Sequence, residues 1–138
     1  PSLPPEDPVL RRLLPDAYSG EESGESGEFR RYTEQSLTAA KVSHAEAVLS
    51  SLVVGGYDPD AGEIRGQEPV EVELGPEAVQ AWLKSLTDIR LAIAVRLGIE
   101  TEEDAARVAV SDDDAVAAMG DVYDWLGYVQ ESLVSVLG

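Results

Sequence analysis

The stretch GPEAVQAWLKSLTDIRLAIAVRLG, Gly75 to Gly98, decides the fold. Gly75 and Pro76 form a helix start, because proline at the first helical position gives up an N–H that would have no partner there. Glu77 complements the positive end of the helix dipole. Gly98 supplies a stop. At 100° per residue, Val79, Leu83, Leu86, Ile93 and Leu97 fall on one side. The spacing therefore predicts a long amphipathic helix with its apolar arc turned to a core.

Arg90 falls in the middle of that arc, where a leucine is expected. A lone buried charge is costly, so Arg90 must find partners or reach to the rim. Asp88 points to the opposite face with Lys84 and Arg96, so it is not the natural partner. Asp16 and Glu34 are the expected carboxylates. Lys41 is a second oddity, because it shares a helix face with Leu37 and Val48. Two readings follow. In one, these ions brace helix against helix. In the other, Arg90 and Lys41, with Arg11 or Arg12, form a pocket for a small anion or metabolite.

Outward from this helix, the flanks also read as mainly helical. Asp7 and Pro8 start a short helix that Pro15 ends. SGEESGESGE, Ser19 to Glu28, has no apolar residue and reads as a flexible loop. A short turn at Glu28–Tyr32 leads to Thr33 as N-cap of a helix over Glu34 to Val53, which Gly55-Gly56 stops. PVEVEL, Pro69 to Leu74, alternates and predicts a half-buried strand, whose partner is either Gly62 to Gly66 in a hairpin or a segment from outside this chain. Thr101 and Asp104 approximate a capping box for the helix that follows. A last helix over Asp113 to Leu137 turns Met119, Val122, Leu126, Val129, Leu133 and Val136 to one face. The expected architecture is a single small helical bundle with one short strand or β-hairpin.

Composition narrows the function. The chain has 138 residues and a net charge of −17, from 27 acidic against 10 basic residues. That excludes the usual electrostatic footprint of nucleic-acid binding and disfavours anionic membranes. No apolar run is expected to span a bilayer. There is no cysteine, hence no disulfide and no thiolate metal site. A cytoplasmic protein is expected. No nucleotide-binding or hydrolase motif is present, and no cofactor is expected. His44 is the only histidine and reads as a helix-edge residue. The acid clusters at Glu102–Asp104 and Ser111–Asp114 read as helix-start chemistry. Trp82 and Trp125 are expected in the core. Tyr123 and Tyr128 fall off the main apolar arc of the last helix, which suits either a protein interface or ordinary packing. That tyrosine face or an unpaired strand edge would serve a symmetric homodimer. A non-enzymatic protein-interaction domain is the leading expectation, with a dispersed acidic active site as the enzymatic alternative.

Three stretches carry a resemblance: DPVLRRLLPDAYSG with EFRRYTEQSLTAAK, VELGPEAVQAWLKSLTDIRLAIAVRLGI, and VYDWLGYVQESLVSVLG. Together they resemble an actinobacterial family of a domain of unknown function that includes the oxidative-stress regulator AosR. The resemblance implies a transcription- or stress-associated regulator that binds a protein such as a sigma factor. Genes of the family tend to lie near a Clp protease adaptor, which implies a proteolysis-linked alternative. The described regulator switches through cysteines, so its redox mechanism transfers to no position here. Members usually carry a further N-terminal segment, which would be a candidate partner for the Val70–Leu74 strand. Asp16, Lys41 and Arg90 all lie in the resembling stretches.

Overall fold

The computed structural model describes residues 7–14, 25–61 and 69–137. Five α-helices follow in order: α1 (Pro8–Leu13), α2 (Glu25–Val54), α3 (Pro76–Leu97), α4 (Glu102–Ala109) and α5 (Asp114–Leu137). Among the described residues, a 3-10 turn, Pro59–Ala61, lies between α2 and α3. Helix α3 is the hub. Helices α1, α2 and α5 pack on it, and α4 packs on α5.

Local chemistry explains the helix ends. The Asp7 carboxylate accepts from Val9 N–H at 2.9 Å and caps α1. Gly98 ends α3 in the left-handed region at φ 72°, its N–H reaching Ala94 and Val95 carbonyls. The capping box of α4 is complete. Asp104 N–H donates to Thr101 Oγ1 at 3.2 Å, and Thr101 N–H donates back to Asp104 Oδ2 at 3.2 Å. The Asp113 carboxylate accepts from Ala115 and Val116 N–H groups and so caps α5. Both acid clusters thus act at helix starts.

Helix α2 departs from expectation. It is continuous from Glu25, so residues 25–28 belong to a helix rather than to the expected loop, and the rest of that loop lies outside the described residues. Thr33 is interior, not a cap, and its hydroxyl donates to the Phe29 carbonyl at 2.9 Å. The longer helix makes Arg31–Val54 long and apolar enough, by length and composition alone, to cross a membrane, contrary to the sequence expectation. It also carries Lys41, His44 and Glu46, and Lys41 is held to α3 by an ion pair.

The Pro69–Leu74 segment forms no strand, and there is no strand among the described residues. The alternation itself is right: Val70, Val72 and Leu74 are half-buried, Glu71 and Glu73 exposed. The extended segment lies over the turn that ends α2. Glu71 N–H donates to the Gly55 carbonyl at 3.4 Å. A Cβ at Gly55 would sit 2.4 Å from the Glu71 carbonyl oxygen. Backbone against glycine replaces strand against strand. The hairpin partner expected at Gly62–Gly66 lies outside the described residues.

Two outcomes follow. Gly55→Ala should lower stability by roughly 1–3 kcal/mol, as overpacking does, in denaturant unfolding followed by circular dichroism. Asp104 supplies a pH test. Its carboxyl is held below the ordinary value of 3.8, chiefly by the Glu100 N–H and further by Thr101 and Arg107. A lowered value means the contribution is present above 3.8 and is lost as pH falls through the lowered value. Asp104→Asn should therefore flatten the loss of thermal stability in that acid range relative to the parent chain.

Candidate functional site

Helix α5 has two faces, and the sequence-singled residues divide between them. The inner face meets α3 and α4 through two glycines. A Cβ at Gly120 would lie 2.7 Å from Val108 Cγ1, and Val108 is the most buried side chain among the described residues, 2% exposed. A Cβ at Gly127 would lie 3.0 Å from Arg90 Cζ. An isolated glycine inside a helix costs about 1 kcal/mol against alanine, so each needs a packing reason. Here the reasons are Val108 and Arg90.

Arg90 is half-buried between α3 and α5. Its Nε donates to the Tyr123 carbonyl at 3.2 Å, and its Nη1 donates to Gln130 Oε1 at 3.4 Å. Its guanidinium lies 4.3 Å from the centroid of the Tyr123 ring. Gly127 stands one turn beyond Tyr123 and has no side chain to cover that carbonyl. Gln130 carries the network on, donating to Thr87 Oγ1 and to the Leu83 carbonyl of α3. No carboxylate among the described residues pairs with Arg90. Glu34 is not its partner, and Asp16 lies outside the described residues. A guanidinium is weakly hydrated and delocalised, so neutral oxygens and a π face can hold it where an ammonium would demand a carboxylate.

Lys41 is bound elsewhere. Its Nζ lies 2.7 Å from Asp88 Oδ1, across the α2–α3 interface. The pair borders a small cleft of about 380 Å³ that also includes His44, Leu37 and Thr87. Lys41 and Arg90 thus serve different interfaces of α3, and the structure does not bring them into one anion pocket. Arg11 and Arg12 line a third place, an open groove of about 1150 Å³ among α1, α3 and α4, beside Glu100 and Glu102. No group of three or more His, Asp or Glu among the described residues could hold a metal ion.

The outer face of α5 is apolar and bare. Val122 is 43% exposed, Trp125 62% and Tyr128 69%. Trp125 was expected in the core, as were Met119, Val122 and Val136 on the buried arc, and all four are exposed. Leu126 is buried, while Val129 and Leu133 are half-buried. The expected arc is displaced because the glycines, not the largest side chains, mark where α5 approaches its neighbours. Tyr123 is an inner residue and Tyr128 an outer one. Trp82 is half-buried on α3, its indole N–H without an acceptor among the described residues.

Residues 1–137 match the family described as Domain of unknown function (DUF2017). The chain belongs to that family. It is similar to the oxidative stress regulator AosR of Mycobacterium tuberculosis and that of Mycobacterium bovis, each 31% identical over 139 residues. It is also 30% identical over 145 residues to a Mycobacterium leprae protein whose name gives the same role provisionally. Each comparison covers 96% of this chain and 59% of the relative, so the chain spans under two thirds of the relatives' length. No solved structure matches it.

Sequence reasoning missed Gly127, Gln130 and Asp88 as partners. The signal available for Gly120 and Gly127 was their spacing of two helical turns inside an apolar helix. A double-mutant cycle tests the clamp. Gly127→Ala alone gains helix propensity but crowds Arg90. Combined with Arg90→Met, Gly127→Ala should stabilise by up to about 1 kcal/mol. In the parent chain that gain should be absent or reversed, leaving a coupling of at least roughly 0.5 kcal/mol in chemical denaturation.

Proposed function

We propose that this chain is a non-enzymatic protein-interaction domain of a cytoplasmic, stress-associated regulator, and that it acts by docking a component of the transcription machinery, such as a sigma factor, on the outer face of α5. The observation that carries the docking site is the exposure of Trp125 and Tyr128 together on the helix side turned away from α3. Tyrosine and tryptophan are the residue types that dominate binding energy at protein interfaces. A contiguous exposed apolar patch on a helix marks an interaction site. The regulator names of the AosR relatives supply the physiological setting. The net charge of −17 supports action through a protein rather than through direct contact with nucleic acid or an anionic membrane.

The test is an affinity capture from native cytoplasm with the intact natural protein, followed by mass spectrometry. Retention of a sigma factor or RNA polymerase subunit is expected. Trp125→Ala with Tyr128→Ala should reduce it at least roughly tenfold, the loss of one hot-spot residue or more. Helical content should stay unchanged by circular dichroism, because both side chains are outside the core. If the doubly substituted protein retains the same component equally well, the α5 reading is wrong. If Clp components are retained instead, the role is proteolytic.

A further inference from the structure

The outer face of α5 carries more information than exposure. Ala118, Val122, Trp125, Val129, Ser132 and Val136 recur at alternating four- and three-residue steps. That is the spacing of a and d positions, the seam along which one helix receives another. At 100° per residue the seam lies opposite Gly120 and Gly127, which face α4 and α3. Four of the six, Ala118, Val122, Trp125 and Val136, are exposed apolar residues. The seam is too short for a free-standing coiled coil, and it is long enough to seat one helix.

One border is charged, and with one sign only. Helix α5 carries Asp114, Asp121, Asp124 and Glu131 and no Lys, Arg or His. Asp114 and Asp121 are exposed and flank the seam on the Tyr128 side, while the exposed Asp124 and Glu131 lie further round, toward Gly127. The opposite border is apolar, with Met119, Leu126 and Leu133 running toward the buried face. A second copy laid on this seam would set acid against acid, which like-charge juxtaposition disfavours. An anionic membrane is repelled for the same reason.

We propose that the outer seam of α5 seats an amphipathic helix of a partner protein whose apolar stripe is bordered by arginine or lysine. The inference rests on the docking function proposed above and specifies the partner's chemistry. The apolar stripe of the partner covers Val122, Trp125 and Val136. Its basic border pairs with Asp114 and Asp121. Arginine suits that border best, because its planar guanidinium also stacks on Trp125 or Tyr128.

The full chain is titrated with three designed helical peptides, and binding is followed by the fluorescence of Trp125 in a Trp82→Phe background. One peptide has a leucine stripe bordered by lysine, one the same stripe bordered by glutamate, and one the lysine border with serine in place of leucine. The leucine–lysine peptide should bind at least about tenfold more tightly than either control and weaken as salt rises. Trp125→Phe in the same chain removes the signal and confirms its source. By calorimetry, Trp125→Glu should bind that peptide about tenfold more weakly. The double change Asp114→Lys and Asp121→Lys should shift the preference toward the glutamate-bordered peptide.

Equal binding of the two leucine peptides overturns the proposal. So does undiminished binding by Trp125→Glu, which would mean bulk charge attraction only. Concentration-dependent dimerisation abolished by Trp125→Glu would assign the seam to a second copy and also overturn it. The two readings fail differently. If cytoplasmic capture depends on Trp125 and Tyr128 but the charge preference is missing, only the partner's chemistry is wrong. If Trp125 matters to neither experiment, the docking reading falls with it.

Discussion

The rest of the structure depends on the approach of Arg90 to α5 across Gly127. A guanidinium on the apolar arc of the central helix leaves few arrangements open to a neighbouring helix. Its N–H groups need oxygens, its flat faces need apolar or aromatic surface, and its bulk needs room. Helix α5 meets all three needs within two turns: the carbonyl and ring of Tyr123, the empty place at Gly127, and the amide of Gln130. Each of these contacts is worth little in a half-exposed setting. Together they select one rotation of α5 about its own axis, which generic apolar packing does not.

That rotation determines what α5 shows to solvent. With Gly120 on Val108 and Gly127 on Arg90, the inner face is taken up by small residues and close backbone approach. The large side chains Trp125 and Tyr128 are left outside. A helix that is apolar nearly all round normally belongs in a core. Here a structural clamp on one face and an unpartnered seam on the other share a single element. Whatever turns α5 at Arg90 therefore also turns this outer face.

Among the described residues, Leu14, Val79, Ala81, Leu86, Val108 and Leu126 are the buried apolar side chains, while Val42, Leu49 and Val53 on α2 stand exposed like those on α5. The chain matches relatives over only 59% of their length, and those relatives are named as regulators.

What the sequence by itself determined is mostly local. Helix α3 runs from Pro76 to Leu97 as its cap residues dictate, and the Thr101–Asp104 box and the acid clusters sit where dipole and N–H chemistry place them. These features need only neighbours within one turn, so they are legible in one dimension. The anomaly of Arg90 was legible too, as a charge that needed partners. Its partners were not, because a carbonyl and a missing Cβ leave no mark in a residue-type pattern. The same limit explains Val70–Leu74, whose alternation told which side is buried but not that a glycine turn, rather than a strand, lies beneath. It also explains Trp125, since periodicity finds the apolar arc of a helix and only close approach at Gly120 and Gly127 decides which part of a nearly continuous arc is covered. Short-range hydrogen bonding is written residue by residue; the direction a helix faces is settled by volume, and volume is shared between segments far apart in the chain.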